Sequence, residues 1–177
     1  TLAHENKIDV IVADHHELKP DLPPAVAIIH ARAPGSDYPF KYLCGAGTAY
    51  KLAQALLDRS LTESEAFAKW LLDLVAIATV ADVVPLLGEN RTLVKYGLQV
   101  LNKTKRLGLR ALINKAKLRN QATPTEFLFN LTAWNLAYQI APRLNAAGRL
   151  SHAQEALELV LTESEVEAET LASHLNT

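Results

Sequence analysis

The run KIDVIVA at residues 7–13 constrains the fold of this chain more than any other feature. It is rich in β-branched residues and flanked by polar ones, which is the pattern of a buried parallel strand. A loop with three prolines at residues 18–24 separates it from a second short apolar run, AVAII at residues 25–29. Because a parallel strand needs neighbouring strands, the N-terminal part of the chain is predicted to belong to an α/β sheet.

Beyond residue 44 the sequence favours helices. Predicted helices cover residues 45–58, 66–80, 90–101, 109–118 and 132–140. The capping-box pattern, a hydroxyl residue followed three positions later by Glu or Gln, occurs at Thr62, Thr123, Ser151 and Thr162. The predicted fold class is α/β: a truncated parallel β-sheet with a large helical portion packed at one side.

The 177 residues suit one domain. Residues 1–60 are predicted to be its strand-rich part, residues 61–150 a mostly helical part, and residues 151–177 a helical connector toward a further C-terminal domain. The chain begins at Thr1, contains no methionine, and has a parallel strand close to its start. These features predict that the chain is part of a larger α/β unit with a further segment before it.

Composition excludes several classes of protein. A single cysteine, Cys44, excludes an intrachain disulfide and fits a reducing cytoplasm. The near-apolar run at residues 71–87 contains Asp73, Asp82 and Pro85, which predicts buried core and not a membrane span. No secretory signal pattern precedes the first strand.

The net charge of −1 argues against tight electrostatic binding of nucleic acid by the whole chain. Charge is nevertheless uneven, because residues 90–120 carry nine Lys or Arg and no acidic residue. This basic run is either a solvated helix face or a stripe that follows a phosphate backbone.

Asp14, His15 and His16 are the first candidates for chemistry, since they stand where a predicted parallel strand ends and ligands bind outside the carboxyl ends of such strands. Strand side chains alternate, so one histidine is expected to ligate a metal and the other to act beside it, unless the chain has already turned. The alternative is an aspartate that caps a turn next to two partly exposed histidines.

Asp82 is the second candidate. It lies among aliphatic residues and is expected to be buried, where it needs a metal, an arginine or helix-end N–H groups as partner.

The segment APRLNAAGR at residues 141–149 is the third candidate. Its two arginines flank small residues and could hold phosphate oxygens, or could be paired with glutamates at a helix-ending turn. The small residues CGAGT at 44–48 favour helix entry and close packing over anion binding.

Four strings together resemble one family. VIVADHH at residues 10–16 resembles the signature strand of the DHH phosphoesterase superfamily, and TVADVVPL at 79–86 resembles its later aspartate motif. APRLNAAGRL at 141–150 and LCGAGTA at 43–49 resemble segments of the RecJ branch. The likeness runs through essentially the whole chain in consistent order.

The resemblance implies a DHH phosphoesterase fold and a two-metal enzyme using Mn²⁺ or Mg²⁺ that degrades single-stranded DNA from its 5′ end in DNA repair and recombination. It further implies a cytoplasmic location, no membrane association, and a single-strand-binding protein and a helicase as partners. By position, His15 and Asp82 match metal ligands, and Asp14 and His16 complete the signature as catalytic groups. The matches to the DNA path are Arg143, Asn145 and Arg149.

The family also needs an N-terminal DxD-type motif and another strand-end aspartate, and neither occurs in these residues. The chain alone is therefore expected to be inactive and to bind metal weakly or not at all. Alternative functions are another DHH-superfamily phosphodiesterase (an oligoribonuclease, a cyclic-dinucleotide phosphodiesterase or a pyrophosphatase), a catalytically dead replication scaffold, or a helical module that binds through the basic run.

Overall fold

The computed structural model describes residues 2–59, 65–118, 129–150 and 153–176, with side chains left undescribed at residues 65 and 146–150. Strands β1 (Ile11–Ala13) and β2 (Ala27–Ile29) pair in parallel, with Ala13 opposite Ile29. This pair, followed by a mostly helical chain, confirms the predicted fold class. Strand β1 is shorter than predicted, and its expected burial is wrong because the Ile11 side chain is 59% exposed.

The helices follow the predicted order, with different bounds. They are α1 (Leu2–Glu5), α2 (Gly45–Leu57), α3 (Glu65–Trp70), α4 (Leu72–Ala81), α5 (Gly88–Leu101), α6 (Leu107–Lys115), α7 (Ala133–Asn135), α8 (Ala141–Leu150), α9 (Ala153–Leu161) and α10 (Glu165–His174). A π-helical turn, Leu136–Ile140, joins α7 to α8. The single helix predicted over residues 66–80 is divided at Leu71, and the segment at 141–149 is helical where a helix-ending turn was one alternative.

Helix α4 is the central element of the fold. One set of its buried side chains joins the main core with α5, α6, α9, α10 and the π-helical turn, and another set joins a smaller core with α2 and α5. Helix α5 crosses close to it, because a Cβ on Gly97 would stand 2.3 Å from the Leu72 carbonyl oxygen. Asp82 caps the C-terminal end of α4, so its position is fixed by both cores.

The C-terminal segment also takes part in the main core. Helix α10 begins after Ser164, whose hydroxyl accepts a hydrogen bond from the Glu167 N–H at 3.3 Å. The predicted cap at Thr162 is therefore two residues too early, since Thr162 accepts instead from the Ser164 N–H at 3.1 Å. The capping boxes at Thr62, Thr123 and Ser151 lie outside the described residues.

Buried core was predicted for residues 71–87, and it is confirmed for α4 (Leu72–Ala81). It is wrong for residues 82–87, where Val83 is 87% and Leu87 66% exposed. No helix in the described ranges is long and apolar enough to cross a membrane.

The basic run at residues 90–120 is partly engaged inside the molecule. Nε of Arg106 donates to Oδ2 of the buried Asp73 at 3.1 Å, and Nη1 donates to the Val160 carbonyl at 3.3 Å. Nζ of Lys115 lies 3.1 Å from a carboxylate oxygen of Glu169 on α10. The contact with buried Asp73 favours a structural role for Arg106 over contact with a phosphate backbone, whereas the Lys115–Glu169 pair is exposed at the surface.

Candidate metal centre

Asp14 organises the turn that follows β1. Its Oδ1 accepts from the backbone N–H of His15 at 2.7 Å and of His16 at 3.2 Å, and lies 2.7 Å from Nδ1 of His16. The side-chain hydrogen bond from His16, followed by the two backbone hydrogen bonds, lowers the pKa of Asp14 to about 2. Asp14 is therefore a carboxylate at neutral pH, and it caps the turn as one of the two interpretations predicted.

The two histidines lie side by side. Their ring centroids are 4.3 Å apart, and Asp14, His15 and His16 each offer one ligand atom within 4.8 Å of the others. The exception that the prediction allowed applies here: β1 ends at Ala13 and the chain has already turned, so strand alternation does not separate the two rings. Since a carboxylate only accepts, Nδ1 of His16 is the donor in this contact, and in the neutral ring the lone pair is then on Nε2.

Asp82 meets this cluster from helix α4. Its Oδ2 lies 3.3 Å from Nδ1 of His15, although 67 positions of sequence separate the two residues. The Asp82 side chain is 40% exposed, so its predicted burial is wrong. The next residue, Val83, has φ of 56°, a left-handed conformation that a β-branched residue rarely adopts, and it turns the chain sharply away from the helix.

A cavity of about 480 Å³ brings together residues from all four candidate segments, including His15, Gly45, Asp82 and Asn145. Arg143 does not line it. Its Nε donates to Oδ1 of Asn176 at 2.8 Å, and its Nη1 donates to the Gln139 carbonyl at 2.7 Å. The side chain of Arg149 lies outside the described residues.

The N-terminus of α2 packs directly against His15. A Cβ on Gly45 would stand 3.2 Å from Cδ2 of the His15 ring, so glycine provides the space for that ring. Cys44 caps the helix through Sγ, which accepts from the Gly47 N–H at 3.3 Å and lies 3.4 Å from Oγ1 of Thr79 on α4. The small residues at 44–48 thus serve helix entry and close packing.

Sequence reasoning missed two residues that contact the backbone of the cluster, His30 and Arg32. Nε2 of His30 lies 2.8 Å from the His16 carbonyl oxygen, and Nη2 of Arg32 donates to the His15 carbonyl at 2.8 Å. The available signal was their position just after β2, because the carboxyl ends of two parallel strands meet at the same edge of a sheet.

The donor set suits a divalent cation. Imidazole nitrogens and carboxylate oxygens together are ligands for Mn²⁺, Zn²⁺ or Fe²⁺, and a sheet edge is a typical place for them. His15 and Asp82, 3.3 Å apart in a half-exposed cleft, fit as ligands of one ion. The fold and this site define a class of proteins with a candidate divalent-metal centre at the edge of a parallel sheet.

Comparison with known proteins narrows that class. Residues 1–79 match the DHH family, N-terminal domain. The chain is 43% identical to the single-stranded-DNA-specific exonuclease RecJ of Bacillus subtilis strain 168 over 175 residues, which cover 99% of this chain and 20% of that protein. The chain is therefore similar to the DHH family over residues 1–79 and to RecJ over nearly its whole length.

Solved structures of RecJ proteins are also similar to this chain. The crystal structure of exonuclease RecJ bound to manganese matches with a TM-score of 0.79 and 36% identity, over 98% of this chain and 41% of that one. RecJ from Thermus thermophilus in complex with Mg²⁺ matches with a TM-score of 0.72 and 37% identity, over 96% of this chain and 23% of that one. The chain thus spans about a fifth of the curated relative and under half of each solved one.

Proposed function

We propose that the protein carrying this chain is a metal-dependent 5′-to-3′ exonuclease of single-stranded DNA that acts in DNA repair and recombination. The observation that carries the proposal is the approach of Asp82 to His15 beside the Asp14–His16 pair, in a chain that is RecJ-like over nearly its whole length. The solved relatives bound to Mn²⁺ and Mg²⁺ support those two ions as cofactors.

Within this proposal, His15 and Asp82 hold a metal ion. When bound, a divalent cation polarises a phosphate oxygen and lowers the pKa of a coordinated water. Asp14 stays ionised and keeps the proton of His16 on Nδ1, which leaves Nε2 able to bind an ion or accept a proton. Asp14 and His16 are thus the proposed catalytic pair.

Substrate contacts are proposed for the α8 segment. Asn145 lines the same cavity as His15, so its amide can reach a phosphate or sugar oxygen near the cluster. The roles of Arg143 and Arg149 rest on the family resemblance. Arg143 would have to give up its bonds to Asn176 and Gln139 to contact DNA directly, and in its present position it braces α8.

The wider setting is also proposed. Residues 1–177 form part of a catalytic domain, in which residues 151–177 lead toward a substrate-binding domain. The partners are single-stranded DNA, a single-strand-binding protein and a helicase, and the location is the cytoplasm. Because the described residues gather only two carboxylates at the cluster, Asp14 and Asp82, we expect the 177-residue chain alone to bind Mn²⁺ weakly and to lack nuclease activity.

The test removes each proposed ligand in the full-length protein. His15→Ala and Asp82→Ala are expected to abolish Mn²⁺-dependent release of nucleotides from 5′-labelled single-stranded DNA, because each removes a metal ligand. Their far-ultraviolet circular dichroism should match that of the unsubstituted protein, since both side chains lie in an open cleft.

The controls are His4→Ala and Asp37→Ala, which remove an exposed histidine and an exposed aspartate elsewhere in the chain. Both should retain activity. Near-normal turnover by either ligand variant would refute the metal assignment. Faster cleavage of dinucleotides than of long single strands would favour another DHH-family phosphodiesterase.

A further inference from the structure

The segment that carries the candidate ligands is held from behind by the loop after β2. His30 follows β2 directly, and Asp14 follows β1 directly, so the parallel register brings the two residues to the same edge. The His30 side chain is buried, and the residue is only 5% exposed. A buried polar ring in this position requires partners, and both of its nitrogens have one.

The partners define the state of the His30 ring. The Arg32 backbone N–H donates to Nδ1 at 3.0 Å, so Nδ1 carries a lone pair. Nε2 therefore carries the proton and donates to the His16 carbonyl at 2.8 Å. The neutral ring thus bridges its own loop and the ligand segment with one acceptor and one donor.

Arg32 adds a second contact of the same kind. Its Nη2 donates to the carbonyl of His15 at 2.8 Å, so one three-residue segment holds two consecutive carbonyls of the ligand segment. The loop is itself anchored by Lys41, whose Nζ donates to the Ala31 carbonyl at 2.8 Å and to the Ser36 carbonyl at 3.0 Å.

The backbone of His15 and His16 is consequently held both at its N–H groups and at its carbonyl groups. Asp14 accepts from the N–H groups of His15 and His16, while His30 and Arg32 donate to their carbonyls. Because these bonds set the orientation of the three peptide groups on either side of His15 and His16, they also set the directions in which the two imidazoles leave the chain. Imidazoles held in this way lose little freedom when an ion binds at the cluster.

We propose that His30 is a positioning residue for the metal site, which acts through the His16 carbonyl and is assisted by Arg32 at His15. The inference rests on the proposed function of this site. It predicts that the loss of the His30 bridge weakens metal binding far more than it weakens the fold.

The test compares His30→Ala, His30→Gln and Arg32→Met in the full-length protein. Alanine removes both bonds, whereas the glutamine amide again offers one donor and one acceptor. The matched control is Asn102→Ala, because Asn102 likewise accepts from and donates to the backbone of a distant segment, at Leu131, away from the cavity. Binding of Mn²⁺ is measured by electron paramagnetic resonance of the free ion, and stability by thermal unfolding in EDTA.

We expect His30→Ala to raise the Mn²⁺ dissociation constant by roughly 10–100-fold, as is typical when a partner behind a metal ligand is removed. His30→Gln should recover most of the affinity, and Arg32→Met, at an exposed position, should cost a few-fold. Asn102→Ala should lower the melting temperature and leave Mn²⁺ affinity unchanged. Equal affinity in His30→Ala and the unsubstituted protein, or no recovery with glutamine, would overturn the proposal.

Hydrogen exchange of the metal-free protein separates this inference from the proposed function. The His15 and His16 amides should exchange faster in His30→Ala, while amides of α6 keep their protection. If the unsubstituted protein binds no Mn²⁺, the proposed function of the site fails, and the exchange result alone decides whether His30 holds the segment. Unchanged exchange at His15 and His16 would refute the positioning role.

Discussion

The two ends of helix α4 each carry an aspartate, and the surroundings of the two differ. At the N-terminal end, the Asp73 carboxylate is 2% exposed and accepts from the Leu74 N–H, the Thr104 hydroxyl and Nε of Arg106, at 2.8, 3.0 and 3.1 Å. At the C-terminal end, the Asp82 carboxylate is 40% exposed, and the basic group it meets in the described part of the chain is Nδ1 of His15, at 3.3 Å.

Burial and hydrogen-bond occupancy distinguish a structural carboxylate from a candidate functional one. Asp73 is buried with its oxygens occupied, so no capacity remains for a ligand. Asp82 keeps open capacity in a solvent-accessible cleft beside imidazoles, where a cation can bind. Substitutions at and around both ends of α4 test this contrast, in order of decreasing effect.

Asp73→Ala is expected to reduce the free energy of unfolding by about 3–5 kcal/mol, because it leaves the Arg106 guanidinium partly buried without its carboxylate. Asp82→Ala should cost less than about 1 kcal/mol, as is usual for exposed pairs. Urea unfolding of both variants measures the comparison. Equal losses would mean that both aspartates are structural.

Mn²⁺ should stabilise the full-length protein in proportion to its binding, by about 2.7 kcal/mol when the free ion is at 100 times its dissociation constant. Asp82→Asn should lose most of this gain and keep its stability in EDTA. Asp73→Asn should show the reverse, with lower stability in EDTA and an intact gain from Mn²⁺. Thermal unfolding with and without the ion measures both, and a full Mn²⁺ gain in Asp82→Asn would contradict the assignment.

Gly45→Ala tests the packing around the functional end. The new Cβ would stand 3.2 Å from the His15 ring, which must move by a few tenths of an ångström. Alanine also favours the helix by up to about 1 kcal/mol. We therefore expect unchanged or slightly higher stability together with a few-fold weaker Mn²⁺ binding, by paramagnetic resonance. Gly47→Ala, whose Cβ would meet Leu43 at 3.4 Å, is the control.

A third carboxylate, Glu89, is more exposed than Asp73 and less exposed than Asp82, and it provides a pH-dependent test. It accepts from the Tyr38 hydroxyl at 2.7 Å and lies 2.9 Å from Nζ of Lys51. Burial and then this hydrogen bond raise the pKa of Tyr38 above its usual 10.0. Burial lowers the pKa of Lys51, but the hydrogen bond to Glu89 and its charge outweigh burial and raise it above 10.5.

Because both pKa values are higher in the folded state, their contribution to stability is complete below pH 10 and is lost as the pH rises through the folded values. Tyr38→Phe should lower the free energy of unfolding by about 1 kcal/mol at pH 7. Above pH 10, the free energies of unfolding of the variant and of the unsubstituted protein should become more similar. Urea midpoints across this range measure the effect. Tyr42→Phe, at a 57% exposed tyrosine, should show no such change, and a constant difference for Tyr38→Phe would contradict the role of the Glu89 hydrogen bond.

Much of the fold was predictable from local patterns. The apolar runs that become β1 and β2, the helix from Gly45 and the Thr132 cap all depend on residues a few positions apart. At that cap the Thr132 N–H donates to Oδ1 of Asn135 at 2.8 Å. The break at Leu71 was not predictable, because no glycine or proline marks it. The wide turn at Leu136–Ile140 precedes Pro142, which lacks the N–H that a regular helix needs there.

The candidate site divides in the same way. The sequence alone predicts which side chains follow β1. It also predicts the turn capped by Asp14 as one of two alternatives, since that cap involves only neighbouring residues. Three further contacts follow only from the folded chain: Asp82 approaches His15, Arg143 donates to Asn176, and His30 contacts the His16 carbonyl. The physical reason is that these contacts join segments whose approach depends on the packing of whole helices and on the register of two strands, which no local pattern encodes.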